Sequence, residues 1–322
     1  MATELTALEL FCGIGGFAAA VAGANVRVAV ALDQSPVALS VYRLNFPGHE
    51  ARQADLERIS AAELADVGAD LWWLSPPCQP YSVRGRQHDL DDPRARSLAH
   101  ILELLPHLPV EQLPRLLALE NVAGFARSQA RELLISFLTA HGYQTRERQL
   151  CPTELGVPSR RPRYYLVASQ VGLLSPPVSA SQPLRPLRDY LNPHLTDNPP
   201  AGLLLPPQLV ASFGAGLRIL DPTDPEAYTT CFTAGYGKSL MHAGSYLRCR
   251  AGVRRFAPEE IARLLHLPPA FRFPESLPLR KRWHLLGNSL SVAAVRAVLR
   301  ALPALSVPDP AVPTRSTAVA VG

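Results

Sequence analysis

Along residues 1–170 short apolar runs alternate with stretches in which apolar positions recur every three or four residues. TALELF (6–11) predicts a strand that ends in CGIGG, and FAAAVAG behind it predicts a helix. VRVAVAL (26–32) predicts a second strand ending at Asp33. SPVALSVYRLNF (35–46) predicts a helix with Ser35 as its N-cap and Pro36 at its first position. LWWLS (71–75), LLALE (116–120) and YYLVAS (164–169) read as buried strands, and SLAHILELL (97–105) and SQARELLISFLTAHG (128–142) as helices, the second closed by Gly142. Strand and helix in alternation predict an α/β fold with a parallel, doubly wound sheet, whose ligands sit beyond the strand C-termini.

The pattern changes after residue 170. From Val171 to Pro225, Pro, Ser, Leu and Gly dominate with little periodicity, which predicts a smaller, irregular domain over 171–284. APEEIARLLHL (257–267) is a short helix in it, and LSVAAVRAVLRAL, within 285–303, is a buried or amphipathic helix. The Pro-rich stretch 304–322 is expected to be a mobile tail.

Composition narrows the class. In 322 residues, hydrophobic content of 47% and charged content of 18% describe a soluble globular chain with a large core. A net charge of +5 is compatible with a polyanionic partner without demanding one. Cys12, Cys78, Cys151, Cys231 and Cys249 are scattered and include no CxxC pair, which argues against a disulfide framework or a zinc site and for a reducing, cytoplasmic setting. The start MATELTALELF has no basic lead, so no secretory signal is expected. The early apolar stretch from Phe17 to Leu32 is broken by Gly23, Asn25 and Arg27, so no membrane span is expected either.

Two loops carry candidate chemistry. Phe11-Cys12-Gly13-Ile14-Gly15-Gly16 lies between the first strand and the first helix, where glycine lets backbone approach a ligand; a plain tight turn is the alternative. Asp33 is placed to accept both hydroxyls of a ribose, and Asp55 to meet an adenine edge. The loop departs from G-x-G-x-x-G, which suits S-adenosylmethionine better than a dinucleotide. The second loop, SPPCQP, fences Cys78 with Pro76, Pro77 and Pro80 at a strand C-terminus. A reactive thiol needs positive charge nearby, and Arg84 and Arg86 follow closely; a buried structural cysteine is the alternative. LALENV puts Glu120 and Asn121 at the next strand end, and GVPSRRPRYY puts Arg161 and Arg163 two apart, hence on one face of a strand.

LELFCGIGGF, SPPCQPYS, ENV, GVPSRRPRYYLVA and LLGNSLSV, in this order, resemble the motif set of the cytosine-C5 methyltransferases, over residues 1–170 and about 254–302. The resemblance implies a Rossmann-like S-adenosylmethionine-dependent catalytic domain (1–170), a small target-recognition domain (171–284) and a C-terminal helix (285–303) that returns to the catalytic domain. TTCFTAGYGK, with Cys231, Phe232 and Thr233, and the long stretch after PPCQPYS resemble the branch named DNA methyltransferase homologue two, which methylates an anticodon-loop cytosine of tRNA.

That resemblance implies transfer of methyl to cytosine C5 through a covalent adduct of Cys78 with C6, at position 38 of tRNA(Asp). Glu120 would bind N3 and the exocyclic amine, and Arg161 and Arg163 would hold the base carbonyl and a nearby phosphate. It carries cofactor contacts onto Phe11, Gly13, Ile14, Gly15, Gly16, Asp33, Asp55, Leu56, Ser75, Asn288 and Ser289, and substrate contacts onto Cys231, Phe232, Thr233 and Arg84. Arg248, Arg250, Arg254, Arg255, Arg280, Lys281 and Arg282 are expected as RNA-backbone contacts, with Tyr236 and Trp283 as stacking surfaces. Two departures stand out: Ser159 replaces a Gln usual in DNA-modifying relatives, and Cys12 inside the loop is open to oxidation. No metal and no membrane partner is implied, and a monomer is expected.

The nearest alternative is a DNA cytosine-C5 methyltransferase of a restriction-modification pair. An amino-group methyltransferase needs no cysteine and would not carry Ser75 there. A silent nucleic-acid-binding protein would not need thiol, carboxyl and cofactor loop together. The other RNA cytosine-C5 methyltransferases place a Thr-Cys where Glu120-Asn121 stands here.

Overall fold

The computed structural model describes residues 3–82, 88–172, 174–175 and 182–308. They form two compact units. The first takes the chain up to Leu150, resumes at Pro162 and includes the chain again from Ala294; the second holds Cys151–Arg161 and the long stretch that ends at Ala293.

The first unit begins with β1 (Leu5–Leu10), α1 (Gly16–Val21), β2 (Val26–Asp33), α2 (Pro36–Asn45), β3 (Glu50–Gln53) and α3 (Ala61–Ala65). It continues with β4 (Leu71–Leu74), α4 (Arg96–Leu104), β5 (Leu116–Val122), α5 (Gln129–Ala140), β6 (Gln144–Leu150) and β7 (Arg163–Ser169). The seven strands lie in the order β3-β2-β1-β4-β5-β7-β6. The order reverses between β1 and β4, the position at which a doubly wound sheet opens a crevice for ligand.

Strands β1 to β5 are parallel, as their sequences predict. The expectation of a wholly parallel sheet fails at β7, which runs antiparallel to both β5 and β6. A parallel neighbour requires a long crossover, whereas β7 follows another strand, β6, after a connection without a crossover helix and comes back in the opposite sense. β6 itself gave no signal in the sequence. QTRERQL lies at the sheet edge with most of its side chains partly or wholly exposed, so it carries no apolar run.

β4 shows the converse. Leu71, Trp72, Trp73 and Leu74 are all buried, because helices cover both faces of the sheet there. Phe17 of α1 stacks on Trp73 with ring centroids 5.0 Å apart, fixing that helix against the sheet. Ser35 caps α2 by accepting the Ala38 N–H at 3.2 Å, and Gly142 takes the left-handed conformation (φ 76°) that ends α5.

The second unit contains α6 (His194–Asp197), α7 (Pro207–Phe213), β8 (Ile219–Leu220), β9 (Tyr246–Cys249), β10 (Gly252–Arg255), α8 (Pro258–Leu264) and α9 (Leu279–Asn288). Its three strands are ordered β10-β9-β8. The polar sequence LRKRWHLLGN of α9 carries little helical signal, because only Trp283, Leu285, Leu286 and Gly287 of it are buried, a narrow stripe on a charged surface. The core is aromatic. Tyr236 meets Phe232 and Trp283 edge to face at 4.9 and 5.6 Å, and Phe256 meets Phe232 at 5.1 Å. The last helix, α10 (Val292–Leu299), ends in the first unit, where Arg296 donates to the carbonyls of Ala19, Ala20 and Ala22 behind α1.

Candidate active site

The loop after β1 is built from backbone that ordinary residues avoid. Phe11 has φ 60°, a strained conformation for a bulky residue and one that recurs at ligand-binding turns. Gly13 (φ 54°) faces open space where a Cβ would stand. At Gly15 (φ 88°) a Cβ would fall on the rings of Phe46 and Tyr42. The first glycine leaves a free surface; the second permits close packing beneath it.

Asp33, at the end of β2, fixes this loop. Its Oδ2 accepts the Gly13 N–H and its Oδ1 the Ser35 N–H, both at 2.8 Å, while burial raises its pKa. Each oxygen keeps a further lone pair, enough for the two hydroxyls of a ribose. Ala54 donates its N–H to the Asp33 carbonyl, so the exposed Asp55 follows directly on the neighbouring strand end, where it accepts the Glu57 N–H at 3.1 Å. Ser75 closes the other side through its hydroxyl, which donates to the Phe11 carbonyl at 3.1 Å. An open glycine face edged by two carboxylates fits a nucleoside cofactor.

One expectation changes here, while the side chain of Leu56 packs at 2% exposure in the apolar core. Cys12 is 4% exposed and burial raises its thiol pKa, which shields it from oxidation rather than exposing it.

The candidate nucleophile sits beyond β4. Cys78 is half-buried and heads a tight turn, Gln79–Tyr81. Pro76 and Pro80 are buried, and the Asn121 amide donates to the Pro76 carbonyl at 3.2 Å, tying the thiol loop to β5. Phe125 meets Tyr81 edge to face at 4.8 Å. Gly124 passes so close that a Cβ there would fall on the Tyr81 carbonyl oxygen. These clamps on the loop were not legible in the sequence, since Gly124 and Phe125 belong to no motif.

Arg84 and Arg86, the expected source of positive charge, lie outside the described residues. A cation missed by sequence reasoning is Arg94, whose guanidinium interacts electrostatically with the Cys78 thiol. It is held in place by Asp92, through bonds of 2.8 Å from Nε and 2.6 Å from Nη2, and the same pairing holds the Asp92 carboxyl down to about 2.

Glu120 is beside the thiol loop by topology. Leu74 pairs with Leu119 across β4 and β5, so Glu120 and the SPPCQP loop leave neighbouring strand ends. The Glu120 carboxylate is 8% exposed and forms an ion pair with Arg163 at 3.3 Å. Arg163 heads β7 and pairs in register with Val122.

Arg161 has partners of its own. The two arginines were expected on one face, but only Arg163 belongs to a strand, and Pro162 separates them. Arg161 is 5% exposed in the second unit. There its guanidinium donates to the Cys231 sulfur at 3.0 Å, the Phe232 carbonyl at 3.2 Å, and the carbonyls of Gly287 and Ser289. At Gly287 a Cβ would fall on the backbone of Thr233 and Ala234. The Cys-Phe-Thr and Gly-Asn-Ser segments thus meet on one buried cation.

The other expected contacts in this unit divide. Phe232 is buried among aromatic rings, whereas Cys231 and Thr233 are half-buried. Asn288 is exposed and 3.4 Å from the His284 ring, and the Ser289 hydroxyl is buried without a hydrogen bond among the described residues. Ser159 accepts the Thr229 hydroxyl at 3.1 Å in the interior. Of the proposed RNA contacts, Arg248, Arg250, Arg280 and Lys281 are exposed.

Arg254 is buried and paired with Glu260 at 2.7 Å, so it cannot reach a phosphate. Arg282 is spent on the Leu277 and Glu275 carbonyls, and Arg255 lies over the Trp283 ring. Tyr236 and Trp283 cannot stack on a base. Both are interior, with the Tyr236 hydroxyl donating to Ser245 and the Trp283 indole to Phe256. Among the described residues no group of acidic, His or Cys side chains could hold a metal, and no helix is long and apolar enough to cross a membrane.

A doubly wound sheet with a nucleoside-fitting loop after β1 and a thiol beside a carboxylate–guanidinium pair defines a methyltransferase of the Rossmann-like class. Residues 5–198 match the model of the family described as C-5 cytosine-specific DNA methylase. The chain belongs to this cytosine-C5 methyltransferase family. It is 30% identical to the human protein named tRNA (cytosine(38)-C(5))-methyltransferase, over 92% of this chain and 99% of that one. A Schizosaccharomyces pombe protein of the same name is 30% identical over 93% of this chain and 97% of its own length. The crystal structure of S. pombe Dnmt2 methyltransferase superposes with a TM-score of 0.80 at 27% identity, covering 92% of this chain and 97% of that one.

Proposed function

We propose that this protein transfers a methyl group from S-adenosylmethionine to C5 of a cytosine in tRNA, in the anticodon loop at position 38 of tRNA(Asp), through a covalent adduct with Cys78. The observation that carries the reading is a thiol loop beyond β4, tied to β5 by Asn121 and leaving the strand end that neighbours the one bearing the Glu120–Arg163 pair. Its substrate follows from relatives named for tRNA cytosine-38 that match this chain almost end to end.

Cytosine C5 is too weak a nucleophile to be methylated directly. The Cys78 sulfur bonds to C6 while Glu120 delivers a proton or hydrogen bond to N3, which places an electron pair at C5. Arg163, already on Glu120, holds the base carbonyl and balances the charge that builds on the ring. When bound, S-adenosylmethionine supplies an electrophilic methyl group. Loss of the C5 proton to a base and departure of the Cys78 sulfur from C6 then restore the aromatic ring.

Phe11, Gly13–Gly16, Asp33, Asp55 and Ser75 are the groups of the first unit that hold the cofactor. The target base must leave its stack, which costs less in an anticodon loop than in a duplex.

The test is methyl transfer with labelled cofactor onto tRNA and duplex DNA in parallel, together with trapping on RNA carrying 5-fluorocytosine at the target. Labelling of tRNA and a stable protein–RNA adduct through Cys78 are expected. Dominant labelling of DNA overturns the substrate, and failure to trap overturns the covalent route.

A further inference from the structure

Asp89 opens the turn Asp89–Asp91 with φ 51°, a left-handed conformation that a residue with a side chain keeps only where its surroundings hold it. What holds it is α5. The Oδ2 of Asp89 accepts the Gln129 N–H at 2.5 Å, and its Oδ1 lies 3.5 Å from the Ala130 nitrogen. Gln129 and Ala130 are the first two residues of a 12-residue helix, where N–H groups have no partner within the helix. The cap residue Ser128 accepts a different one, that of Arg131 at 3.0 Å, and donates its own hydroxyl to the Phe125 carbonyl at 2.8 Å. Phe125 in turn is the ring that meets Tyr81 of the thiol loop. One helix end therefore grips the chain after Cys78 at two points, Tyr81 and Asp89.

We propose that Asp89 is a positioning residue for methyl transfer: by pinning the chain downstream of Cys78 to the N-terminus of α5, it holds the thiol where it can reach the target base. The proposal rests on the reading that Cys78 is the nucleophile. α5 follows β5, the strand that carries Glu120, so the stretch of chain that presents the carboxylate also anchors the thiol loop. A carboxylate suits the place, since its negative charge meets the positive end of the helix. Farther along, Asp92 accepts from the Arg94 side chain at 2.8 and 2.6 Å and from its backbone N–H at 3.0 Å, and the turns Gln79–Tyr81, Asp89–Asp91 and Pro93–Ala95 lie against one another. Asp89 is a polar link between this packed group of turns and α5. Asn at this position keeps an acceptor oxygen for Gln129 and tolerates the left-handed backbone; Gly keeps the backbone without strain and has no oxygen.

The experiment compares Asp89→Gly and Asp89→Asn in methyl-transfer kinetics on tRNA and in the rate of adduct formation with RNA carrying 5-fluorocytosine, with calorimetric titration of S-adenosylhomocysteine alongside. D89G is expected to lower kcat and the adduct rate by at least about 20-fold, while KM for the methyl donor and affinity for S-adenosylhomocysteine stay within about twofold. D89N is expected within about fivefold of the unaltered protein throughout. Amide hydrogen exchange of the unaltered, ligand-free protein is an independent measure that stands even where D89G fails to fold. The Gln129 N–H is expected to be protected there, unlike an open first-turn amide, and to exchange at least about tenfold faster in D89G. Unchanged kcat in D89G, an equal loss in D89N and D89G, or fast exchange at Gln129 in the unaltered protein overturns the proposal. Failure of the unaltered protein to form an adduct through Cys78, with Gln129 protected, overturns instead the nucleophile reading on which the proposal stands.

Discussion

Arg163 and Glu120 meet at 3.3 Å on two antiparallel strands, 43 positions apart in the chain and with little solvent around either side chain. The pairing fixes the carboxylate by holding it with a guanidinium that is itself anchored at a strand end. In the proposed reaction the pair presents the Glu120 carboxyl to N3 and the Arg163 guanidinium to the carbonyl of the same base. Glu120→Gln is expected to lower kcat by about 100-fold or more while S-adenosylhomocysteine still binds. An unchanged kcat would remove Glu120 from the chemistry.

Cys78→Ala is expected to abolish methyl transfer and adduct formation and to leave thermal stability and cofactor affinity unaltered. The side chain is half-buried, and the Asn121 amide and the flanking prolines hold the loop. Calorimetry and melting curves check the second half of this expectation; measurable turnover contradicts the first.

Gly124 makes a sharper structural test. A methyl group there collides with the Tyr81 carbonyl, and backbone cannot swing aside as a side chain end can. Gly124→Ala is expected to shift the thiol loop, lowering kcat by about tenfold or more, since small misplacements of reacting groups are costly. Cofactor affinity, which in the proposed reading depends on the glycine loop and Asp33, is expected to hold.

The Arg254–Glu260 pair is wholly buried, and Glu260 also accepts the Ala257 and Asn192 N–H groups. Glu260→Ala strands a guanidinium in the interior and is expected to cost about 3–5 kcal/mol in urea unfolding. Replacing both partners with apolar residues of similar size is expected to recover much of that loss.

Stability should also depend on pH through Glu9. Burial pushes this carboxyl up to about 8 from an ordinary 4.5. Between those values the folded chain keeps a proton that the unfolded chain has released. Stability therefore falls as pH rises through this window and levels off above about 8. The groups facing it are Tyr42, Asp33 and Cys12, with His49 behind Tyr42; Asp33, also raised by burial, adds a change of the same sign. Denaturant titrations at several pH values should show E9Q losing on the order of a few kcal/mol less than the unaltered protein across the window.

The sequence by itself determined the elements whose cause is local. Apolar runs placed β1, β2, β4 and β5, Ser35 with Pro36 placed the start of α2, and the order of the short motifs placed the candidate thiol, carboxylate and cofactor loop on strand ends. These signals survive because burial on both faces of a sheet and the capping of a helix leave a pattern within a few residues.

Only the tertiary structure decided which polar groups are available and which are consumed. Arg161 was legible as a cation, yet its partners stand 70 to 128 positions away and bury it in the second unit. Arg254, Tyr236 and Trp283 looked free to meet RNA until packing put them inside. Glu9 looked like one more strand residue until packing buried its carboxyl against the Tyr42 hydroxyl. A charge or a ring has the same sequence signature inside and outside; what separates the two is the desolvation cost, and that is set by whatever distant chain closes over it.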